Sequence, residues 1–498
     1  MSLATIYSRA PIGISAAQIR IEIHLAQGLP ALTLVGLPEK AVKESKDRVR
    51  AAIINSGFTF PQKHITINLA PADLPKEGSR YDLAIALGIL AASGQIPQQA
   101  LDGKEWHGEL ALSGAICPIK GILPCALAAK QNKQIIVTAR ENAAEASLVT
   151  EDFWAARTLT EIATVILGQE KPKRIEIPPM RPPRYPDFSE VIGNYEAKRA
   201  LVVAAAGGHH LLMSGPPGTG KSMLAQRFAG ILPPLSEKEA VETAALQSVS
   251  LQGFQVEKWR QRPFRAPHHS ASSAALAGGG NVPRPGEISL SHNGVLFLDE
   301  LPEFDRRVLE MLREPLETGI INISRANIKT SYPARFQLIA AMNPCPCGYY
   351  GDTQQVCRDT PDQINRYRNR ISGPLLDRID IHLTVSRLSP RELREQNNSQ
   401  KFSTEEMRTL VLAAYKLQIA RQGKLNSALS PSELEKIINA DQQTFALLDR
   451  AAEKMRLSMR SYHRIMKVAR TIADLANSEQ VTSRHAAEAL QYRGWNNK

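Results

Sequence analysis

The chain has 498 residues, 43% of them hydrophobic and 22% charged, with a formal net charge of +12. This composition excludes a disordered chain, and no apolar stretch approaches the roughly 20 residues that a membrane-spanning helix needs. Five cysteines are too few for a disulfide framework, the opening residues show no export signal, and the basic balance favours polyanionic partners such as nucleic acid; the expected location is the cytoplasm.

The length suggests about three domains. Residues 1–168 read as mixed α/β. Strands such as ALTLVGL (31–37) and HITINLA (64–70) alternate with helices such as EKAVKESKDRVRAAIINSG (39–57), which Gly57 stops. Within a linker at 169–188, the stretch KPKRIEIPPMRPPRYP holds six prolines, five basic residues and no glycine, which makes it stiff and extended. In residues 189–385 a helix (about 195–206), an apolar strand, the glycine-rich GPPGTGKS (215–222) and a second helix follow in order. GVLFLDE (294–300) and RFQLIAAMNP (335–344) are short apolar runs that end in polar residues. Buried strands of a parallel sheet read this way, with functional groups at their C-terminal ends. Residues 386–498 read as all-helical. SPRELREQ opens with a Ser N-cap, STEEM (403–407) and SPSEL (430–434) are capping boxes, and a last helix opens at Thr482.

GPPGTGKS fits the pattern G-x-x-x-x-G-K-[ST]. Gly215, Pro216, Pro217, Gly218, Thr219 and Gly220 form a curl whose free N–H groups face phosphate oxygens. Lys221 neutralises the β- and γ-phosphates, Ser222 ligates Mg²⁺, and Met223 completes the nucleotide contact. Asp299 would hold Mg²⁺ through water, and Glu300 would orient and activate the attacking water. Asn343, at the end of its strand, would sense the γ-phosphate or position that water. Together these residues predict hydrolysis of ATP with Mg²⁺. RYRNRISGPLLDRID (366–380) offers Arg366, Arg368, Arg370 and Arg378. Arg366 and Arg368 read as a solvated helix face, and Arg378 as the arginine supplied to a neighbour's γ-phosphate.

TGIINISRANIKTSYPARFQLIAA (318–341) reads as a β-hairpin leading into the Asn343 strand. Arg325, Asn327 and Lys329 near its tip are DNA-binding candidates. RQRPFRAPHHSASSAALAGGGN (260–281) reads as a loop whose basic and hydroxyl groups suit phosphate contacts. His268 and His269 are adjacent, and adjacent side chains point apart on most backbones, which argues against a metal pair. Cys345, Cys347 and Cys357 fall within thirteen residues. Structural zinc usually takes four ligands. The reading therefore favours metal-free, reduced thiols, with Zn²⁺ on the three thiolates plus Asp359 or water as the alternative.

The order DFSEVIG, GPPGTGKS, GVLFLDE, AAMN, LLDRID resembles the AAA+ ATPases. RPFRAPHHSASSAALAGGGNVPRPGEISLSHNGVLFLDELPEF, AAMNPCPCGYYGD and RISGPLLDRIDIH resemble the ComM/YifB family of magnesium-chelatase-like competence proteins, and the resemblance runs to about residue 495. It implies an α/β AAA+ P-loop core with a parallel sheet and an all-helical C-terminal lid. It also implies a homo-hexameric ring with ATP sites between subunits, and Arg378 acting in trans. A lid arginine would contact nucleotide, Arg460 first and Arg464 as the alternative. Hairpins of related AAA+ proteins sit in the central pore. The implied function is an ATP-driven DNA helicase that promotes branch migration of recombination intermediates during natural transformation. Its partners would be single-stranded, double-stranded or branched DNA and recombination proteins. The family pattern carries a fourth cysteine where this chain has Asp359. NLAPADLPKEGSRYDLAIALGIL and GELALSGAICPIKGILPCALAAK resemble the proteolytic domain of Lon, which implies a Lon-protease-like α/β fold for residues 1–168. Arg80 stands where the Ser nucleophile would fall, with Ser79 one position off, and Leu123 stands where the Lys would fall, with Cys125 two further. No proteolysis is expected, and Lys76, Arg80 and Lys120 are left as candidates for DNA contact. The competing expectation is a chelatase-like or protein-remodelling ATPase that does not act on DNA.

Overall fold

The computed structural model describes residues 3–36, 40–76, 78–173, 175–176, 182–280, 283–325, 328–352, 354–388 and 402–493. The chain divides into two compact units. One comprises Met1–Arg181 and Ala240–Trp259, the other Pro182–Glu239 and Arg260–Lys498. The first break falls inside the proline-rich stretch.

The first unit is built on a seven-stranded mixed sheet. Its order is Ala31–Val35, His64–Ala70, Ser15–Ala26, Leu3–Ile12, Lys104–Trp106, Ile135–Ala139, Phe153–Ala156. Alternation in the sequence sets the inner face. Ile19, Ile21, Ile23 and Leu25 are all buried, with polar residues between them. The helix Asp82–Ala92 has no polar face, and all of its residues are buried.

Among the described ion pairs of this unit, one has both partners buried. Arg9 Nε donates to Glu105 Oε2 at 2.5 Å and Nη2 to Oε1 at 2.7 Å, while Gln18 adds a bond of 2.9 Å to the same carboxylate. Their strands are parallel neighbours, paired at Tyr7 and Glu105. Such a pair is costly to desolvate and far more costly to break on one side.

Around the positions compared with the protease dyad, Ser79 donates to the Glu109 carboxylate. Cys125 is buried, and burial pushes its thiol up to about 11. Lys76 is also buried, with its ammonium on the Pro71 carbonyl. It is therefore not available to DNA, contrary to the sequence expectation. Arg80 donates to the Lys120 carbonyl at 3.0 Å, and the Lys120 ammonium donates to the Leu251 carbonyl.

The second unit is built on five parallel strands. Their order is Phe264–Arg265, Val295–Leu298, Gln337–Met342, Leu211–Ser214, Ile381–Thr384. The three central strands are almost wholly buried, as their unbroken apolar runs require. A single apolar cluster joins this sheet and the helix Tyr195–Gly207 to the C-terminal helices, through residues such as Leu201, Phe228, Ile339, Val411 and Ile465. Among the described residues, the stretch after 402 is helical apart from short turns and one isolated bridge, Ala440–Val481. Ser403 with Glu406 and Ser430 with Glu433 form the expected capping boxes, and Thr482 caps the last helix with His485. The helix expected at SPRELREQ lies outside the described residues.

The stretch 260–280 is more ordered than its composition suggested. Phe264–Arg265 forms the edge strand, Ser273–Ala277 is helical, and Gly278–Gly279 pairs with Arg284–Pro285. Two of its arginines, Arg262 and Arg265, are internal fasteners. Arg262 donates to the Pro233 and Asn293 carbonyls at 2.5 and 2.6 Å, and Arg265 forks onto Glu287 at 2.5 and 2.6 Å.

Replacing one partner of the buried pair tests the first unit. Arg9→Met is expected to destabilise it by about 3–5 kcal/mol, because Glu105 is left charged and unpaired. Adding Glu105→Leu should recover most of that loss in urea unfolding. Equal stability of the Arg9→Met and wild-type chains would contradict this account.

Candidate active site

The parallel order brings the C-terminal ends of three strands together. Leu211–Ser214 leads into the glycine-rich loop, Val295–Leu298 into Asp299 and Glu300, and Gln337–Met342 into Asn343. The loop needs its glycines. Gly218 and Gly220 hold φ of +78° and +85°. A Cβ at Gly215 would fall 2.2 Å from the Val385 carbonyl oxygen, so only glycine lets the loop rest there.

Lys221, first in its helix, points back into the loop. Its ammonium donates to the carbonyls of Gly215 and Pro216 at 2.6 and 2.9 Å and to Asn343 Oδ1 at 3.4 Å. Burial lowers its pKa to about 8, with Asp299 opposing the shift. Ser222 Oγ donates to Asp299 Oδ2 at 2.6 Å. The hydroxyl and the carboxylate expected at Mg²⁺ are thus already side by side. Residues 217–223, Asp299, Glu300, Met342 and Asn343 line a cleft of about 370 Å³. A dehydrated ammonium, free N–H groups and an oxygen pair in one cleft suit a nucleotide phosphate with its divalent ion.

Glu300 is a non-glycine residue at φ +53°, a sparsely populated conformation for a residue with a Cβ. Its N–H donates to Asp299 Oδ1 at 3.0 Å. Its carboxylate lies 3.0 Å from His269 Nδ1. His269 is a residue that the sequence pattern did not single out for this role. The strand Phe264–Arg265 runs parallel beside Val295–Leu298, so the chain that follows each emerges at the same edge. That adjacency depends on the edge strand, which the sequence reading took for loop.

Two expected arginines meet elsewhere. Arg378 Nη2 lies 2.7 Å from Glu317 Oε1, and Arg460 pairs with the same oxygen. Hydrogen bonds from Arg460 and Arg378 hold the Glu317 carboxyl below its ordinary range. Neither arginine lines the Lys221 cleft. Arg464, the alternative to Arg460, is bound internally: it pairs with Asp380 and donates to the Arg378 carbonyl at 2.9 Å. Burial would raise the Asp380 carboxyl, but Arg464 and His209 overcome this and hold it well below the usual range.

Arg366 is exposed, as expected of a solvated face. Arg368 is not. It donates to the Pro344 carbonyl at 3.2 Å, and its guanidinium lies 4.9 Å from the Tyr350 ring centre. Arg370 pairs with Glu303 at 2.7 Å. The expected hairpin is present as Ile320–Arg325 and Ile328–Pro333. Arg325 ends its first strand and Lys329 is exposed on its second, whereas Asn327 lies outside the described residues. Cys345, Cys347, Cys357 and Asp359 converge on one another.

Three family models match the chain: "Magnesium chelatase, subunit ChlI" over residues 187–393, "Subunit ChlI of Mg-chelatase" over 21–142, and "Magnesium chelatase, subunit ChlI C-terminal" over 401–493. The chain is 50% identical to the Competence protein ComM of Haemophilus influenzae, across 99% of this chain and 98% of that protein. It is 48% identical to the Escherichia coli protein YifB, across 99% and 97%. The chain belongs to the ComM/YifB family. A more distant similarity, 27% identity over 32% of this chain and 23% of the relative, reaches the magnesium-chelatase 67 kDa subunit of Chlorobaculum parvum. The ComM/YifB chain is thus a magnesium-chelatase-like AAA+ protein, a class whose ligands are ATP and Mg²⁺. Among its described residues, no helix is long and apolar enough to cross a membrane.

The depressed Lys221 pKa sets a pH dependence. An anion favours the ammonium and raises its pKa, so ATP is expected to bind the protonated form. Affinity should be level below about pH 8 and fall above it, by up to tenfold per pH unit. Calorimetric titration between pH 6.5 and 9.5 checks this; unchanged affinity at pH 9.5 would show that Lys221 is not so desolvated.

Proposed function

We propose that this chain is an ATP-hydrolysing DNA motor, a homo-hexameric helicase that drives branch migration of recombination intermediates during natural transformation. The observation that carries the ATPase half is the convergence of Lys221, Ser222, Asp299, Glu300 and Asn343 in one cleft. The DNA half rests on the similarity to a competence protein, the net charge of +12, and a hairpin with exposed Lys329. The proposed arrangement has a Lon-like unit (1–168), a linker (169–188), an ATPase core (189–385), whose residues 240–259 belong to the first compact unit, and a lid (386–498).

In this reading, residues 215–223 grip the nucleotide and Lys221 neutralises its outer phosphates. Ser222 and Asp299 would hold Mg²⁺, which when bound offsets phosphate charge. Glu300 orients the attacking water and accepts its proton, and for this its carboxylate must part from His269. Asn343 fixes the far side of the cleft. Arg378 and Arg460 share Glu317 and do not line their own chain's cleft. A ring would deliver both to the neighbouring subunit's nucleotide, where Arg378 stabilises the charge that develops. Arg325, Asn327 and Lys329 would face DNA in the pore. Recombination proteins are the expected partners, and the cytoplasm the expected location.

The second reading is a chelatase-like or protein-remodelling motor, favoured by the similarity to a chelatase subunit. ATPase rate with and without a four-way DNA junction, measured beside branch migration, separates the two. Stimulation with ATP-dependent junction resolution supports the DNA motor. No response to any DNA removes it and leaves the second reading.

Lys221→Ala is expected to abolish ATP binding. Glu300→Gln should still bind ATP but hydrolyse it about 10²–10⁴-fold more slowly. Arg378→Ala should assemble without hydrolysing, and full ATPase activity in a monomer would refute the shared site. Arg325→Ala should weaken DNA binding at matched salt while basal ATPase stays intact.

A further inference from the structure

The segment from Pro344 to Asp359 crosses from the Asn343 strand to the helix Pro361–Arg368. Its described residues form only turns and bends. It has little apolar core of its own, since Val356 is 83% exposed and Tyr350 40%. A loop this long and this poor in packing needs another fastening.

The fastening visible is a cluster of donors. The Sγ atoms of Cys345, Cys347 and Cys357 lie 3.4, 3.5 and 3.6 Å apart. A disulfide has its sulfurs about 2.05 Å apart, so these are three separate thiols. Asp359 Oδ2 lies 3.8 Å from Cys357 Sγ, and the four donor atoms all fall within 4.8 Å of one another. With metal–sulfur bonds of about 2.3 Å, tetrahedral donors sit roughly 3.5–3.8 Å apart. A point about 2.3 Å from all three sulfurs lies only about 1.1 Å off their plane. Free thiols are weak hydrogen-bonding groups and have no reason to gather around a carboxylate. Thiolates around a cation do.

The surroundings fit as well. The Cys347 N–H donates to Asp359 Oδ2 at 2.8 Å and fixes that carboxylate. The Tyr350 N–H points at Cys345 Sγ, 3.3 Å away. Such outer bonds orient metal ligands. We propose that Cys345, Cys347, Cys357 and Asp359 bind one structural Zn²⁺, which ties the strand carrying Asn343 to the start of the helix Pro361–Arg368. Three soft thiolates in a tetrahedral, closed set favour zinc over the oxygen-seeking Mg²⁺ and Ca²⁺. Asp359 completes the set of four that three cysteines alone lack.

The knot also bears on the active site. Gly348, at φ +89°, sits so close to the glycine-rich loop that a Cβ there would lie 2.9 Å from Pro217 Cδ. Arg368 grips the Pro344 carbonyl from the helix side. The metal therefore holds one wall of the ATP cleft and does not enter the chemistry.

Metal analysis of the full-length, untagged protein, purified under reducing conditions, tests the site. About one zinc per chain is expected. Added Co²⁺ should replace it and give the strong visible bands of a tetrahedral cobalt–thiolate centre. Cys345→Ser with Cys357→Ser should lose the zinc. Asp359→Ala should release it to a chelator roughly tenfold faster or more, and Asp359→Cys more slowly than wild type. Stripping the metal should speed amide exchange across 344–359. Iron in place of zinc, or a wild-type chain that neither carries zinc nor takes up equimolar Zn²⁺ or Co²⁺, would overturn the proposal. Full zinc retention in the double serine variant would do the same. The cobalt spectrum needs only the wild-type chain, so misfolding of a variant cannot hide the answer.

Discussion

An ammonium group held in a cleft by two carbonyls and an amide oxygen is the constraint around which the second unit is arranged. Lys221 loses much of its hydration, and its pKa falls to about 8 for that reason. Its three described acceptors are all neutral, so the loop is prepared for an anion. Holding the lysine there requires Gly215, which lets the loop press against Val385, and the Asn343 strand beside it. That strand in turn needs its neighbours in the parallel sheet.

Charged groups in the same unit fall into two kinds. Some are bolted inside. Asp474 takes forked bonds from Arg421 and Arg470 and a further bond from Asn426, and Asp380 is clamped by Arg464. These fasten the C-terminal helices to one another and to the sheet. Others are held loosely enough to be redirected. Glu300 rests on His269, and Arg460 pairs with the half-exposed Glu317, which the buried Arg378 also holds from within. A surface pair of this kind is worth little by itself. A phosphate or a neighbouring chain can therefore compete for either member.

Much of this was legible from the residues alone. Strand and helix periods, proline placement and capping boxes located the elements, because each depends on interactions within a few residues. The nucleotide loop and the two acidic residues after VLFL were legible for the same reason, since their chemistry lies in contiguous sequence. The edge strand Phe264–Arg265 was not, being two residues long and stabilised by its neighbour.

The sequence by itself thus determined the α/β class, the glycine-rich loop, the Asp299–Glu300 pair and the helical C-terminal region. Only the tertiary structure decided which charges are spent inside the fold. Lys76 and Arg368 read as surface cations, yet one is buried on a carbonyl and the other braces Pro344 and Tyr350. His269 and Glu317 gained their partners, and Asp359 its place beside three thiols, only through packing. The reason is physical. Periodicity and capping report short-range geometry, whereas the neighbour of a side chain depends on the order of strands in a sheet. No local pattern encodes that order.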